Sequence, residues 1–150
     1  MSRAFVKEDD TAAAEVELPA VAPHLISPAG QRALAARRAA LDGQEGMEVA
    51  REKARLDALL AAATVVPPLA AVPDAACFGT VVTVEDEEGE AMAVALVGEH
   101  EADPAAGRVS CLSPLGRALV GAHVGDTVTW RRPAGDRVLE VVALGLPAAP

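Results

Sequence analysis

Thr80-Val81-Val82-Thr83-Val84 is the point at which the hydrophobic pattern of this chain changes, from a repeat of about 3.6 residues upstream to one of about 2. β-Branched residues in strict alternation are what a half-buried strand needs. Asp86-Glu87-Glu88-Gly89 then reads as a turn, and the alternation resumes through Met92, Val94 and Leu96, which makes the segment a β-hairpin. Downstream, an acidic loop from Gly98 to Gly107 leads to a short strand over Arg108 to Cys111. Ser113-Pro114-Leu115-Gly116-Arg117-Ala118-Leu119-Val120-Gly121 follows, with a serine placed to cap a helix, a proline at the first helical position and a glycine past the end. That combination predicts a helix of about two turns. A second hairpin completes the region: Asp126 to Arg132, the turn Pro133-Ala134-Gly135-Asp136, and Arg137 to Leu144. Residues 147–150 read as a tail.

Upstream of the change, Ser27-Pro28 gives the same helix-start signal, and Ala29 to about Asp42 is dense in Ala, Arg and Leu, with Leu34 and Leu41 on one face. Gly43-Gln44-Glu45-Gly46 interrupts the helix. A longer one resumes from Met47 to about Thr64, carrying Val49, Leu56 and Ala63 at heptad spacing with Leu60 beside them. Two single-striped helices joined by so short a break predict an antiparallel hairpin, because each stripe needs a partner and the connection reaches no other. Lys53 and Asp57 have the spacing of a surface ion pair. Val65-Val66-Pro67-Pro68 ends the helix and opens a linker. The expected organisation is a flexible arm over 1–26, a helical hairpin over 27–66, a linker over 67–75, a domain over 76–146 and the tail.

Composition narrows the function. The chain has 150 residues and 51% apolar content, yet no apolar run approaches the ~20 residues needed to span a bilayer, so no membrane segment is expected. Thirty-four of the residues are Ala, which bury little surface each, and the core must therefore lie where the larger side chains concentrate. Phe5, Phe78 and Trp130 are the only aromatics, too few to wall an aromatic pocket or to stack successive bases. Residues 71–150 carry 5 basic against 12 acidic side chains, and the whole chain has a formal charge of −9. No basic stripe is available for phosphate contacts, so strong direct nucleic-acid binding is not expected and a basic protein surface is the better partner. Cys77 and Cys111 fall outside any C-x-x-C spacing, and Met1 to Asp10 lacks the apolar stretch of a signal peptide. A cytoplasmic chain with reduced thiols is the expectation.

Catalytic groupings are scarce. His24, His100 and His123 fall on different predicted elements, and none has a His or Cys partner at metal-ligand spacing. Ser2, Ser110 and Ser113 lie in no nucleophile-elbow pattern, and no glycine-rich phosphate loop is present. The acidic run Glu85 to Glu90 lacks the alternating ligand spacing of a calcium loop and reads as a solvated hairpin tip. The chain is therefore not expected to be an enzyme or to hold a cofactor.

From Phe78 to Leu144 the sequence resembles the C-terminal domain of the GreA and GreB transcription elongation factors. The resemblance rests on Gly79 to Asp86, Leu96-Val97-Gly98-Glu99, Glu101-Ala102-Asp103-Pro104, Arg108-Val109-Ser110, Ser113 to Gly121 and Val124-Gly125-Asp126, in the family's order. Met1 to Glu8 and Ile26-Ser27-Pro28-Ala29-Gly30 are similar, less specifically, to the GreB-type beginning, where a T-P-x-G turn opens the first helix. This resemblance implies an α+β protein: an N-terminal antiparallel coiled coil followed by an FKBP-like antiparallel β-sheet domain with one short helix. It implies bacterial RNA polymerase as partner, with the C-terminal domain docking at the rim of the secondary channel through the region of Leu112, Ser113, Pro114, Leu115 and Arg117. The coiled coil of the family enters the channel, and acidic residues at its tip help hold a catalytic magnesium ion, so that the polymerase cleaves its own backtracked transcript.

The sequence departs from the family at the tip. The acidic L-S-E-N type motif and roughly half the length of each helix are missing, and Asp42, Glu45 and Glu48 surround a glycine-rich turn instead. Helices of about 14–18 residues rise only about 21–27 Å, so these carboxylates, the weak metal candidates, are expected to stop short of the polymerase's ion. Leu112 also stands where family members often have a small or acidic residue. The expected function is a Gre-type polymerase-binding regulator without cleavage stimulation. The alternative is a short-hairpin homologue resembling Rnk, acting through nucleoside diphosphate kinase or another protein. A prolyl isomerase, suggested by an FKBP-like fold alone, lacks the aromatic walls it would need.

Overall fold

The computed structural model describes residues 21–147. Most of the arm expected over 1–26, and the tail beyond 147, lie outside the described residues. The described end of the arm, His24–Ile26, forms strand β1. In chain order there follow α1 (Pro28–Ala40), α2 (Met47–Ala62), β2 (Ala63–Val65), β3 (Val81–Glu85) and β4 (Ala91–Val97). β5 (Arg108–Ser110), α3 (Pro114–Leu119), β6 (Thr127–Trp130) and β7 (Arg137–Gly145) complete the mixed helix-and-sheet chain. It divides into two compact units, one holding Arg32–Ala63 and the other combining His24–Gln31 with the chain from Thr64 onward. The first turn of α1 thus groups with the C-terminal sheet, whereas a sequence boundary falls naturally at Ser27.

In the helical unit, α1 and α2 bury a narrow stripe of Leu34, Ala54, Leu56 and Leu59. Ionic pairs also link them. Arg37 reaches Glu52 at 3.1 Å and Arg38 reaches Asp57 at 2.8 Å, while Arg38 also holds Asp42 at 2.9 Å on its own helix. Asp57, expected to pair with Lys53, is taken by Arg38, whose planar guanidinium serves two carboxylates at once. Arg37 and Arg38 also sit in the last turn of α1, where positive charge offsets the helix dipole. The second helix stops short of its expected end at Thr64. Thr64-Val65-Val66 is β-branched and Pro67 forces its predecessor into extended backbone, so Ala63–Val65 becomes β2, paired with β1. Val66 N–H donates to the Ile26 carbonyl at 2.8 Å and continues that pairing.

The C-terminal unit carries a five-stranded sheet in the order β5-β4-β3-β7-β6. β3 pairs antiparallel with β4, setting Val82 opposite Val94, and with β7, where the register slips by one residue between Thr83 and Val84. β6 pairs antiparallel with β7. β5 runs parallel to β4, so the expected antiparallel sheet is mixed at that edge. The cause is the loop from Gly98 to Gly107, which folds into two 3-10 turns, Glu99–Glu101 and Pro104–Ala106, and delivers the chain back in its starting direction. Alternation in β3 puts Val82 and Val84 wholly inside, with Val94, Leu96, Leu139 and Val141 from the neighbouring strands and Leu115 and Leu119 from α3. Trp130, Met92 and Cys111 lie half-buried against this core. No helix among the described residues is long and apolar enough to cross a membrane.

Candidate functional site

The corner that leads into α3 is built by serine hydroxyls. Ser110 Oγ accepts from Leu112 N–H at 3.0 Å, and Ser113 Oγ donates to the Ser110 carbonyl at 2.7 Å while accepting from Gly116 N–H at 3.1 Å. Ser113 is therefore the N-cap, with Pro114 at the first helical position as the sequence predicts. Gly116 lets α3 lie against this turn, since a methyl group there would overlap the Ser110 carbonyl. The tight turn forces Leu112 outward, where it is 57% exposed.

Among the other docking candidates, Pro114 and Arg117 are exposed, but Leu115 is buried in the core. Its side chain shapes the corner from beneath and is not itself offered to a partner. Val120 and Val124, large apolar residues just beyond α3, are also exposed, and the sequence reading did not single them out. Cys111, next to Leu112, is partly buried, and this desolvation pushes its thiol pKa up, with smaller contributions from neighbouring Cys77 and Glu101. Such a thiol is a poor nucleophile at neutral pH.

The turn between the helices presents its acidic residues separately. Asp42 is engaged by Arg38, and Glu45 and Glu48 are exposed. Glu48 occupies the first turn of α2, where a carboxylate favours the helix dipole. Among the described residues no group of three His, Cys, Asp or Glu side chains is arranged to hold a metal ion.

One grouping had no signature in the sequence. Ser27, the N-cap of α1 whose Oγ accepts from Gly30 N–H at 3.0 Å, is bound through both its amide and its hydroxyl by the carboxylate of Glu101. The distances are 2.9 Å from Ser27 N–H to Oε2 and 2.5 Å from Ser27 Oγ to Oε1. The two residues stand 74 positions apart, and only the folded sheet brings them together. Beside them the rings of His24 and His100 meet edge to face with centroids 4.5 Å apart.

Residues 71–145, half of the protein, match the family described as transcription elongation factor, GreA/GreB, C-term. Transcription elongation factor GreA of Acidiphilium cryptum is 39% identical over 128 residues, covering 78% of this chain and 82% of that protein. GreA of Rhodospirillum rubrum is 45% identical over 69 residues, 45% of this chain and 44% of its own length. Among solved structures, GreA factor homolog 1 (Gfh1) of Thermus thermophilus aligns over 81% of this chain and 98% of that one, with 24% identity and a TM-score of 0.43. The match over residues 71–145 and the GreA identity across most of both proteins make this chain a member of the GreA/GreB transcription elongation factor family.

Proposed function

We propose that this protein docks on bacterial RNA polymerase at the rim of the secondary channel through its C-terminal unit, and regulates transcription there without stimulating transcript cleavage. The observation that carries the docking half is the corner at Leu112, a large apolar side chain 57% exposed beside the capped start of α3. Protein interfaces commonly have an apolar centre inside a polar rim, and an exposed Leu112 beside serine and arginine fits that arrangement. In this reading Leu112, Ser113, Pro114 and Arg117 form the contact surface, with Leu115 supporting them from the core. The C-terminal unit is read as an FKBP-like domain used for binding alone, and the chain is not itself an enzyme.

The second half rests on length and charge. Helices of 13 and 16 residues rise about 20 and 24 Å, with Asp42, Glu45 and Glu48 placed around their junction. A metal ligand must come within about 2.0–2.6 Å of its ion, a tolerance that side-chain flexibility cannot extend by several helical turns. The helical unit, read as a short antiparallel coiled coil, occupies the channel mouth without delivering a carboxylate to its interior.

The docking test is retention of purified polymerase on the immobilised protein, with Leu112→Asp as the variant. Leu112→Asp is expected to retain its circular dichroism and melting temperature and to lose most polymerase binding. Equal binding by the folded variant removes the corner from the interface. Capture of nucleoside diphosphate kinase from lysate, with no polymerase retained, overturns the reading in favour of an Rnk-like role.

A further inference from the structure

We propose that Glu101 is a positioning residue that fastens the N-cap and first turn of α1 in place within the C-terminal unit. The polymerase arm of this inference rests on the proposed function, whereas the fastening itself rests on geometry alone. All of its parts, His24 to Gly30 and Gly98 to Glu101, belong to the C-terminal unit.

The carboxylate of Glu101 uses both oxygens. Oε2 accepts from Ser27 N–H at 2.9 Å and from Gly98 N–H at 3.1 Å, while Oε1 accepts from the Ser27 hydroxyl at 2.5 Å. That last distance lies in the short range, about 2.5–2.7 Å, of a hydroxyl donating to a charged carboxylate. The same hydroxyl oxygen accepts from Gly30 N–H and so caps α1. One charged group thus holds the cap in place and adds negative charge at the positive end of the helix.

Space has been cleared for it on both sides. A methyl group on Gly30 would overlap the Glu101 carboxylate, and one on Gly98 would overlap the Leu25 carbonyl and approach Oε2 to 3.2 Å. Glycine is a weaker helix former than alanine, so the room at Gly30 comes at the expense of helix propensity. The His24–His100 ring contact runs between the same two segments, β1 and the turn Glu99–Glu101.

Amide hydrogen exchange on the full chain, with Glu101→Ala and Glu101→Gln, tests the fastening. Glu101→Ala removes charge-assisted hydrogen bonds from both amides and should speed exchange at Ser27 and Gly98 by about tenfold or more. Exchange at Val82, Val84 and Val141 in the sheet should change by no more than about twofold. Glu101→Gln keeps an oxygen for the two amides and an N–H for the serine, and should restore most of the protection. Unchanged exchange in Glu101→Ala overturns the fastening, as does acceleration spread evenly through β3 and β7, which would make Glu101 a general stabiliser. Failure of Glu101→Gln to rescue also overturns it.

For the positioning role, polymerase affinity is measured on the same three proteins. Glu101→Ala is expected to bind several-fold more weakly and Glu101→Gln to recover. Equal affinity of Glu101→Ala and parent, with the local exchange effect present, overturns the positioning role. Absence of polymerase binding by the parent itself condemns the functional reading, while the exchange result still decides the fastening.

Discussion

The helical unit and the C-terminal unit of this chain are held together by different forces. Arg32–Ala63 buries four apolar side chains, one of them an alanine, and links its helices by arginine–carboxylate pairs that face water. The C-terminal unit encloses an eleven-residue apolar cluster in which Val82, Val84, Leu96, Leu119 and Val141 are completely inaccessible to solvent. Exposed ion pairs contribute little and are screened by salt, whereas each buried aliphatic side chain is worth about 1.5–3 kcal/mol. The larger apolar cluster makes the C-terminal unit the more stable of the two by this reckoning.

The sharpest way to break this contrast is to remove core volume from each unit in turn. Leu139→Ala should destabilise the C-terminal unit by about 2–5 kcal/mol in urea unfolding, lowering its midpoint clearly. Leu56→Ala should melt the helical unit while the sheet amides keep their protection; a global collapse from Leu56→Ala would show that the units share one core. Ser113→Ala removes the cap of α3, and a loss of roughly 1 kcal/mol, read in the same titration, is expected.

A pH titration sharpens the comparison further. Asp86, at the β3–β4 turn, accepts from Glu90 N–H and Glu88 N–H and faces Arg137, and these interactions, led by the Glu90 bond, lower its carboxyl pKa. A carboxylate whose pKa falls on folding stabilises the native state above its unfolded value of about 4, and the contribution is lost as pH drops through the folded value below it. Asp86→Asn should flatten the acid limb of stability for the C-terminal unit and leave neutral stability less affected than Leu139→Ala does. An unchanged acid limb would remove Asp86 from the account. Smallest of all, raising salt from low to molar concentration should weaken the Arg37–Glu52 and Arg38–Asp57 contacts and lower the melting temperature of the helical unit slightly, with the sheet unaffected. An equal shift in both units would contradict the ionic description of the hairpin.

Much of this architecture is legible in the residues because local rules and packing agree. The Ser113-Pro114 cap, the alternation of Val82, Val84, Met92 and Val94, and the glycine break between α1 and α2 appear in the structure where the sequence places them. What escaped is non-local. β1 and β2 are three-residue strands whose pairing stems from chain return, and the parallel β4–β5 contact depends on the path of a loop. The family resemblance grouped Leu115 with the docking residues, but the face of α3 that packs on the sheet carries it into the core with Leu119. Glu101 and Ser27 lie in segments the family resemblance picked out separately, and no spacing rule joins residues 74 positions apart.

Transcript cleavage in a backtracked elongation complex tests the central claim most directly. Purified protein is added alone, then together with GreB, and short RNA fragments released from the stalled complex are followed with time. The account predicts no stimulation by the protein alone and inhibition of GreB-stimulated cleavage by competition at the rim. Robust cleavage by the protein alone, abolished when Asp42, Glu45 and Glu48 are all replaced by alanine, would contradict it and make the hairpin turn a working acidic tip.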